Sequence, residues 1–264
     1  MDALLTEMRL RGFSYKTVKV YLHWNTRFLS WVKKSPREVS QRDLDLFLLS
    51  LEMKAPKTRH QATAALKFYY SDILRRNFFW RYPKLAHKLP QVVSLEQIKQ
   101  MIAATVNLKH KLILELLYGS GLRVSEVVKL RLEDIEGHIV RIRQSKGNKD
   151  RFAVLSQIFL ADLERYLCGR ETQSPWLFSS RDSRGHISVR SVQEIVESAQ
   201  KRAGIQKHCH PHMLRASYAT HLIEHGTDIS KVQQLLGHSD VRTTRNYLNL
   251  SKKSITEVQS PLDA

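Results

Sequence analysis

The chain carries arginine, histidine and tyrosine side chains that together could perform chemistry on a phosphate ester. His212 and Arg215 are three positions apart, so on a helix they share a face. His238 follows Gly237, a residue type that commonly ends a helix, and Tyr247 comes nine positions later. Arginine forks onto phosphate oxygens, imidazole donates to another oxygen, and a phenol oxygen can attack phosphorus. This combination predicts a phosphoryl-transfer site with a tyrosine nucleophile.

The same region also permits two hypotheses of zinc chemistry. His221, Glu224 and His225 match the H-x-x-E-H pattern of inverted zinc peptidases, with two histidines one helical turn apart and a glutamate as base. A second group of zinc-ligand types stands just upstream: His208, Cys209, His210 and His212. Tight zinc sites usually draw ligand pairs from two separated places, and the sequence shows no second Cys/His pair. A metallopeptidase gives the arginines no role, so it is the remote alternative, and activity that survives a strong chelator would exclude it.

The charge of the chain points to nucleic acid as the partner. Lys and Arg total 43 against 25 acidic residues among 264, which gives a formal net charge of +18. Residues 1–90 hold 18 of the basic and 7 of the acidic residues, so this part is the denser in positive charge. A solvated basic surface is the alternative explanation. We predict a double-stranded DNA partner.

Cysteine usage and the apolar pattern indicate a cytoplasmic protein. Cys168 and Cys209 are too few for a disulfide framework, which fits a reducing compartment. The first residues lack the basic start and apolar stretch of a signal peptide. No apolar run reaches the roughly 18–20 residues that cross a bilayer, so no membrane contact is expected.

The elements that must position these side chains are mostly helical. Residues 1–80 predict four helices in a DNA-binding domain, 81–93 a linker, and 94–264 a second domain with a tail at about 251–264. Ser40 and Ser94 each begin a sequence that resembles a capping box. Residues 139–143 and 151–154 predict strands on either side of a turn. The fold class is therefore mainly α with a small β-sheet.

Four motifs, taken in order, resemble those of the tyrosine recombinases, also called phage-type integrases. They are the first arginine box Gly121-Leu122-Arg123-Val124-Ser125-Glu126, the lysine hairpin Lys146-Gly147-Asn148-Lys149, the H-x-x-R box His212-Met213-Leu214-Arg215, and Leu235-Leu236-Gly237-His238 with Tyr247 at the family's spacing. The layout is most similar to Xer recombinases, and the ending at 260–263 is similar to integron integrases, although their extra insertion is absent. Ala216 stands where many relatives have a second histidine, which puts the subfamily in doubt more than the activity.

The resemblance implies a role for each matching residue. Tyr247 attacks the scissile phosphate and forms a 3′-phosphotyrosyl bond. Arg123 and Arg215 bind the non-bridging oxygens, where charge develops. His212 accepts the proton of the tyrosine, and His238 donates a hydrogen bond to a non-bridging oxygen. Lys146 gives a proton to the leaving 5′-oxygen. Neither ATP nor a divalent metal is needed, so no cofactor is expected.

The resemblance also implies an architecture and an assembly. A helical core-binding domain and a mixed α/β, mostly α catalytic domain would close on DNA as a C-shaped clamp. Family members exchange strands through a Holliday junction in a homotetramer on inverted-repeat sites, with a heterotetramer as the variant. The tail at 251–264 would dock on a neighbouring protomer.

Several alternatives remain open from sequence alone. The chain could be a sequence-specific DNA-binding protein without catalysis, or a type IB topoisomerase that relaxes DNA without paired sites. Tyr218 is a rival nucleophile, although its apolar neighbours predict a core position. Lys149 could replace Lys146, and Arg123 with Glu126 could be a simple helix ion pair.

Overall fold

The chain divides into two compact units, Met1–His87 and Lys88–Ala264. A computed structural model describes residues 2–85, 91–145, 149–170 and 174–237. Within these ranges the chain is mostly helical with one small antiparallel sheet, which confirms the predicted fold class. The predicted domain limits at 80 and 94 stay predictions. The tail and the hairpin turn at 146–148 lie outside the described residues.

The first unit is helical through its described length. Its elements are α1 (Asp2–Leu10), α2 (Tyr15–Val32), α3 (Gln41–Leu49), α4 (Pro56–Lys67) and a π-helical turn (Phe68–Ile73) that continues α4. The four predicted helices are confirmed there. The capping box at Ser40 is confirmed as well, because Ser40 Oγ accepts from the Asp43 amide and the Asp43 carboxylate accepts from the Ser40 amide.

Aromatic side chains form much of the core of the first unit. Phe28 on α2 lies edge-on to Phe47 on α3 with ring centroids 5.0 Å apart, and to the buried Tyr70 at 5.8 Å. Asn25 is a buried polar link, since its Nδ2 donates to the backbone oxygens of Tyr21 and Ala65. Tyr69 and Tyr70 are therefore core residues, and the basic side chains remain on the outside.

The second unit surrounds its sheet with helices. Its described elements are α5 (Leu95–Ala103), α6 (Leu108–Gly119), α7 (Val124–Val127), a 3₁₀ turn (Leu132–Asp134), β1 (Ile135–Glu136), β2 (Ile139–Ser145), β3 (Lys149–Val154), α8 (Gln157–Cys168), α9 (Val189–Arg202), α10 (Pro211–Glu224) and α11 (Ile229–Leu236). The antiparallel strands follow the order β1-β2-β3, with Val140 opposite Ala153 and Ile142 opposite Arg151. Strand β1 and helix α8 were not among the elements predicted from the sequence.

Helix α10 lies at the centre of the second unit and packs on α6 and α11. Its side chains are buried on most sides, including Met213, Leu214 and Ala219, so it lacks the one-sided pattern of a surface helix. Ser217 ties it to the start of the unit, because its Oγ accepts from the Val93 amide at 2.8 Å. Among the described residues, no helix has the length and apolar content to cross a membrane.

Candidate active site

A tight turn after α6 positions Arg123. Gly121 takes a positive φ of +59°, and an added Cβ there would stand 2.3 Å from the Tyr218 ring. Arg123 is then the residue that caps α7, with its amide donating to Glu126 Oε2 at 2.8 Å and its Nη1 donating to Glu126 Oε1 at 2.7 Å. One carboxylate thus fixes both the backbone and the guanidinium of Arg123.

Arg215 lies on α10 and is 1% exposed. Its Nη1 donates to the Gly121 carbonyl, and its Nη2 donates to the Leu236 carbonyl at 2.5 Å. Glu126 Oε2 lies 3.8 Å from Arg215 Nη1, so the carboxylate is shared between Arg123 and Arg215. The structure therefore brings the two predicted arginines into one cluster.

Arg151 is a third member of this cluster that the sequence analysis missed. It lies on β3 and donates from Nη2 to Glu126 Oε2 at 2.7 Å and from Nη1 to the Leu235 carbonyl at 2.5 Å. The sequence pattern points the other way, because the apolar Phe152 and Val154 on the same strand are exposed while Arg151 and Ala153 face inward. An arginine at an inward position of an alternating strand needs a buried anionic or carbonyl partner.

The three guanidinium groups converge on the end of α11. Arg151 binds the carbonyl of Leu235, Arg215 that of Leu236, and Arg123 Nη2 that of Gly237 at 3.3 Å. The last carbonyls of a helix have no partner within the helix and carry partial negative charge, so they suit cationic donors. Gly237 ends α11 with a left-handed backbone, as predicted. The cluster therefore anchors the backbone directly before position 238.

Glu126 stays ionised at the centre of the cluster. Burial alone would raise the pKa of its carboxyl, but the charge of Arg151, the Arg123 amide hydrogen bond and the charges of Arg123 and Arg215 bring the pKa below its usual range. Three guanidinium groups against one carboxylate leave a net charge of +2. Such a fixed cationic excess can stabilise an anionic phosphate without first reorganising water.

A cavity of about 680 Å³ adjoins this cluster at Arg123 and Glu126. Further basic side chains line it: Lys129, Arg131, Arg141 and Arg143. The guanidinium of Arg131 lies 4.8 Å from the centre of the Trp176 ring, which forms another part of the wall. The cavity thus extends the positive surface away from the arginine cluster, on the side of the small sheet.

Among the remaining predicted catalytic residues, the structure describes only His212. His212 is the second residue of α10, and its side chain is exposed whereas that of Arg215 is buried. Lys146, His238 and Tyr247 lie outside the described residues, so their placement stays a prediction. The side chain of Lys149, the alternative to Lys146, also lies outside what the structure describes.

The rival nucleophile Tyr218 and the candidate zinc ligand His221 both have structural contacts. Tyr218 packs with the small cluster of Ala216, Ala219, Val232 and Leu236, which confirms its predicted core position. Burial raises the pKa of the Tyr218 phenol, although Arg151 and Arg215 lower it in part. His221 Nδ1 lies 2.9 Å from the hydroxyl of Tyr118. Within the described ranges, no group of three or more His, Cys, Asp or Glu side chains is arranged to hold a metal.

Comparison with known families matches both units of the chain. The model of the phage integrase family matches residues 91–254. The model of the N-terminal SAM-like domain of phage integrases matches residues 1–79. Together the two models span nearly the whole chain.

Curated relatives are similar over comparable lengths. The tyrosine recombinase XerA of Pyrococcus horikoshii is 33% identical over 97% of this chain and 91% of its own. An integrase/recombinase of Escherichia coli is 31% identical over 100% of this chain and 93% of its own. The tyrosine recombinase XerD of Listeria monocytogenes is 28% identical over 94% of this chain and 92% of its own.

Solved structures share the fold. A XerA recombinase crystal structure is 28% identical, with a TM-score of 0.59 over 97% of this chain and 95% of its own. The XerH recombinase in a post-cleavage complex with its palindromic difH substrate has a TM-score of 0.76 at 21% identity, over 96% of this chain and 82% of its own. A lambda integrase (75-356) dimer on a COC′ core site has a TM-score of 0.75 at 17% identity, over 98% of this chain and 96% of its own.

Proposed function

Because the chain belongs to the phage integrase family and is a Xer-like tyrosine recombinase that cleaves and rejoins DNA at specific sites, we propose that its arginine cluster holds the scissile phosphate. One observation carries the proposal. Arg123 and Arg215 share the Glu126 carboxylate. They also donate hydrogen bonds to the Gly237 and Leu236 carbonyls, which directly precede His238 in the chain. A phosphate at this place meets two oriented guanidinium groups at the helix end that precedes His238 in the chain.

The proposed first step is an attack by Tyr247 on phosphorus. A bond forms between the phenolic oxygen and phosphorus, and the bond from phosphorus to the 5′-oxygen breaks. His212 takes the phenolic proton, and Lys146 gives a proton to the leaving 5′-oxygen. Arg123, Arg215 and His238 stabilise the charge on the non-bridging oxygens. Loss of one such donor costs on the order of 3 kcal/mol of barrier in other enzymes.

Rejoining uses the same groups in reverse. A 5′-hydroxyl from another strand attacks the phosphotyrosyl phosphorus and releases Tyr247. The 3′-phosphotyrosyl bond conserves the energy of the cleaved bond, so the exchange proceeds without ATP or a bound metal. We place this reaction in the cytoplasm, because a reducing environment fits Cys168 and Cys209 as free thiols.

Trapping of the covalent intermediate tests the proposal. The substrate is a duplex chosen by its binding to the protein from a randomised library, and nicked beside the cleavage position so that the small product diffuses away. Wild-type protein should retain labelled DNA after denaturation, because the bond to Tyr247 is covalent. Tyr247→Phe should retain none, while Tyr218→Phe should still do so. Covalent DNA in the Tyr247→Phe variant would refute the assignment of the nucleophile.

The assembly on DNA follows the same proposal. We propose that protomers bind inverted repeats and that four protomers exchange strands through a Holliday junction. A type IB topoisomerase would instead relax plasmids that lack any pair of sites. Recombination of a plasmid with two sites, together with a four-way junction intermediate on gels, distinguishes these activities. Relaxation that is independent of the sites would contradict the recombinase proposal.

The tail at 251–264 is proposed to dock on a neighbouring protomer. Its apolar residues are Ile255, Val258 and Leu262, too few to form a core alone. Truncation after Ser251 should spare DNA binding and single-strand cleavage but impair recombination between two sites. A truncated protein that recombines as fast as the wild type would refute the docking.

A further inference from the structure

Arg151 belongs to the arginine cluster but to none of the four sequence motifs. Its two Nη atoms are engaged with the Glu126 carboxylate and the Leu235 carbonyl. Glu126 also binds Arg123, and Leu235 lies at the end of α11, so Arg151 can affect the site through these two partners.

The first partner transmits the effect to Arg123. Glu126 Oε2 accepts from both Arg151 and the Arg123 amide, while Glu126 Oε1 accepts from the Arg123 guanidinium. Without Arg151 the buried carboxylate of Glu126 loses a cationic neighbour at 2.7 Å and can rotate toward the remaining donors. The Arg123 guanidinium would then turn with the carboxylate, because Glu126 Oε1 and Oε2 hold the guanidinium and the amide of Arg123.

The second partner transmits the effect to the end of α11. The Leu235 carbonyl is the first of the three successive carbonyls that the cluster binds, and His238 follows three positions later. A helix end without donors frays or exchanges its partners with water. Arg151 therefore restrains the backbone that leads to a predicted catalytic histidine.

We infer that Arg151 is a positioning residue for DNA cleavage, acting through Glu126 on the Arg123 guanidinium and through the Leu235 carbonyl on the end of α11. The inference rests on the proposed function of the cluster. It differs from a purely structural role because the orientation of phosphate-binding groups affects the chemical step more than the affinity for DNA. Binding to a long duplex depends on many contacts, whereas the rate depends on geometry at one phosphate.

The test separates affinity from rate in Arg151→Gln. We expect unchanged affinity for the selected duplex and a lower unfolding temperature, because a buried ion pair loses one partner, with the protein still folded at the assay temperature. Single-turnover cleavage at saturating DNA should fall about 10- to 100-fold, the usual effect of removing a partner that orients a functional group. Arg190→Gln is the matched control, since it removes one charge from an exposed pair with Glu194 on α9 and should cleave at the wild-type rate. Wild-type cleavage by Arg151→Gln would overturn the inference.

A double-mutant cycle tests the route through Glu126. Glu126→Gln and Arg151→Gln should lower the rate much less in combination than the product of their separate effects, because each already disrupts the same network. Effects that multiply would refute action through Glu126. If Arg151→Gln does not fold, Arg151→Lys replaces it, and its single ammonium group cannot hold both partners. A wild-type rate in that variant would equally overturn the inference. Wild-type protein that forms no covalent complex would refute the proposed function itself.

Discussion

The pair of carboxyl groups between α6 and α8 gives a prediction about stability and pH. Glu115 on α6 is only 4% exposed and neighbours Asp162 on α8. Burial first, and then the Asp162 carboxylate, raise the pKa of Glu115 from 4.5 to about 7, while Lys111 opposes the change. Lys111 is closer to Asp162, with Nζ 2.5 Å from Asp162 Oδ2 and 4.0 Å from Glu115 Oε1. The proton therefore belongs to Glu115.

The sign of the effect follows from proton binding. Between pH 4.5 and about 7 the folded protein keeps a proton on Glu115 that the unfolded chain has lost. Stability from this group is therefore fully present below pH 4.5 and decreases as the pH rises toward 7. At about 1.4 kcal/mol per pH unit, the full loss is about 3 kcal/mol above pH 7. Glu115→Gln cannot ionise and should avoid this loss.

The assay compares unfolding free energies of wild type and Glu115→Gln in urea from pH 5 to pH 8. Hydrogen exchange of the α6 peptide is the readout, because it reports on the unit that contains the pair. The variant should gain stability relative to wild type as the pH rises, by up to about 3 kcal/mol at pH 8. Glu197→Gln, an exposed position paired with Lys201, is the control and should show no such trend. A difference that stays constant from pH 5 to pH 8 would refute the reasoning.

Two further predictions concern close contacts in the second unit. Gly121→Ala should slow DNA cleavage and lower the unfolding temperature, because its Cβ would collide with the Tyr218 ring and its backbone has a positive φ. Gly119→Ala is the matched control, with its nearest contact at 3.9 Å, and wild-type behaviour of both variants would contradict the argument. Ser217→Ala should cost about 1–3 kcal/mol in urea unfolding, because the buried amide of Val93 loses its acceptor. An unchanged unfolding midpoint would show that another acceptor replaces it.

Local signals in the sequence predicted much of the fold. Ser40 and Ser94 begin helices with the expected reciprocal hydrogen bonds, since capping depends on residues only three positions apart. The alternation at 139–143 predicted the first hairpin strand, and the turn that follows predicted the returning strand at 151–154. Two-residue β1 has too few residues for any periodicity. Helix α8 has a cap at Ser156, where the side chain accepts from the Phe159 amide, so the sequence contains a local signal for the start of this helix.

The candidate site was predictable only in part. Arg123 and Arg215 were identified from two motifs, and the structure brings both onto Glu126. The spacing of Arg123 and Glu126 also fits an ordinary helix ion pair, worth a few tenths of a kcal/mol. What distinguishes the carboxylate is its contact with Arg151, 25 positions away, and this contact exists only through the packing of β3 against α7. Pair spacing along one helix contains no information about such a partner.

The backbone contacts of the arginine cluster are even harder to predict from the sequence than its side-chain contacts. Gly237 predicts where α11 ends, and the end of a helix always exposes carbonyls that need donors. Every residue has a carbonyl, however, so no residue type marks which donor reaches which oxygen. The assignment of Arg151, Arg215 and Arg123 to three successive carbonyls is fixed by the relative placement of β3, α10 and the turn after α6. For this reason the helix end, and not one side chain alone, is the part of the site that tertiary packing determines.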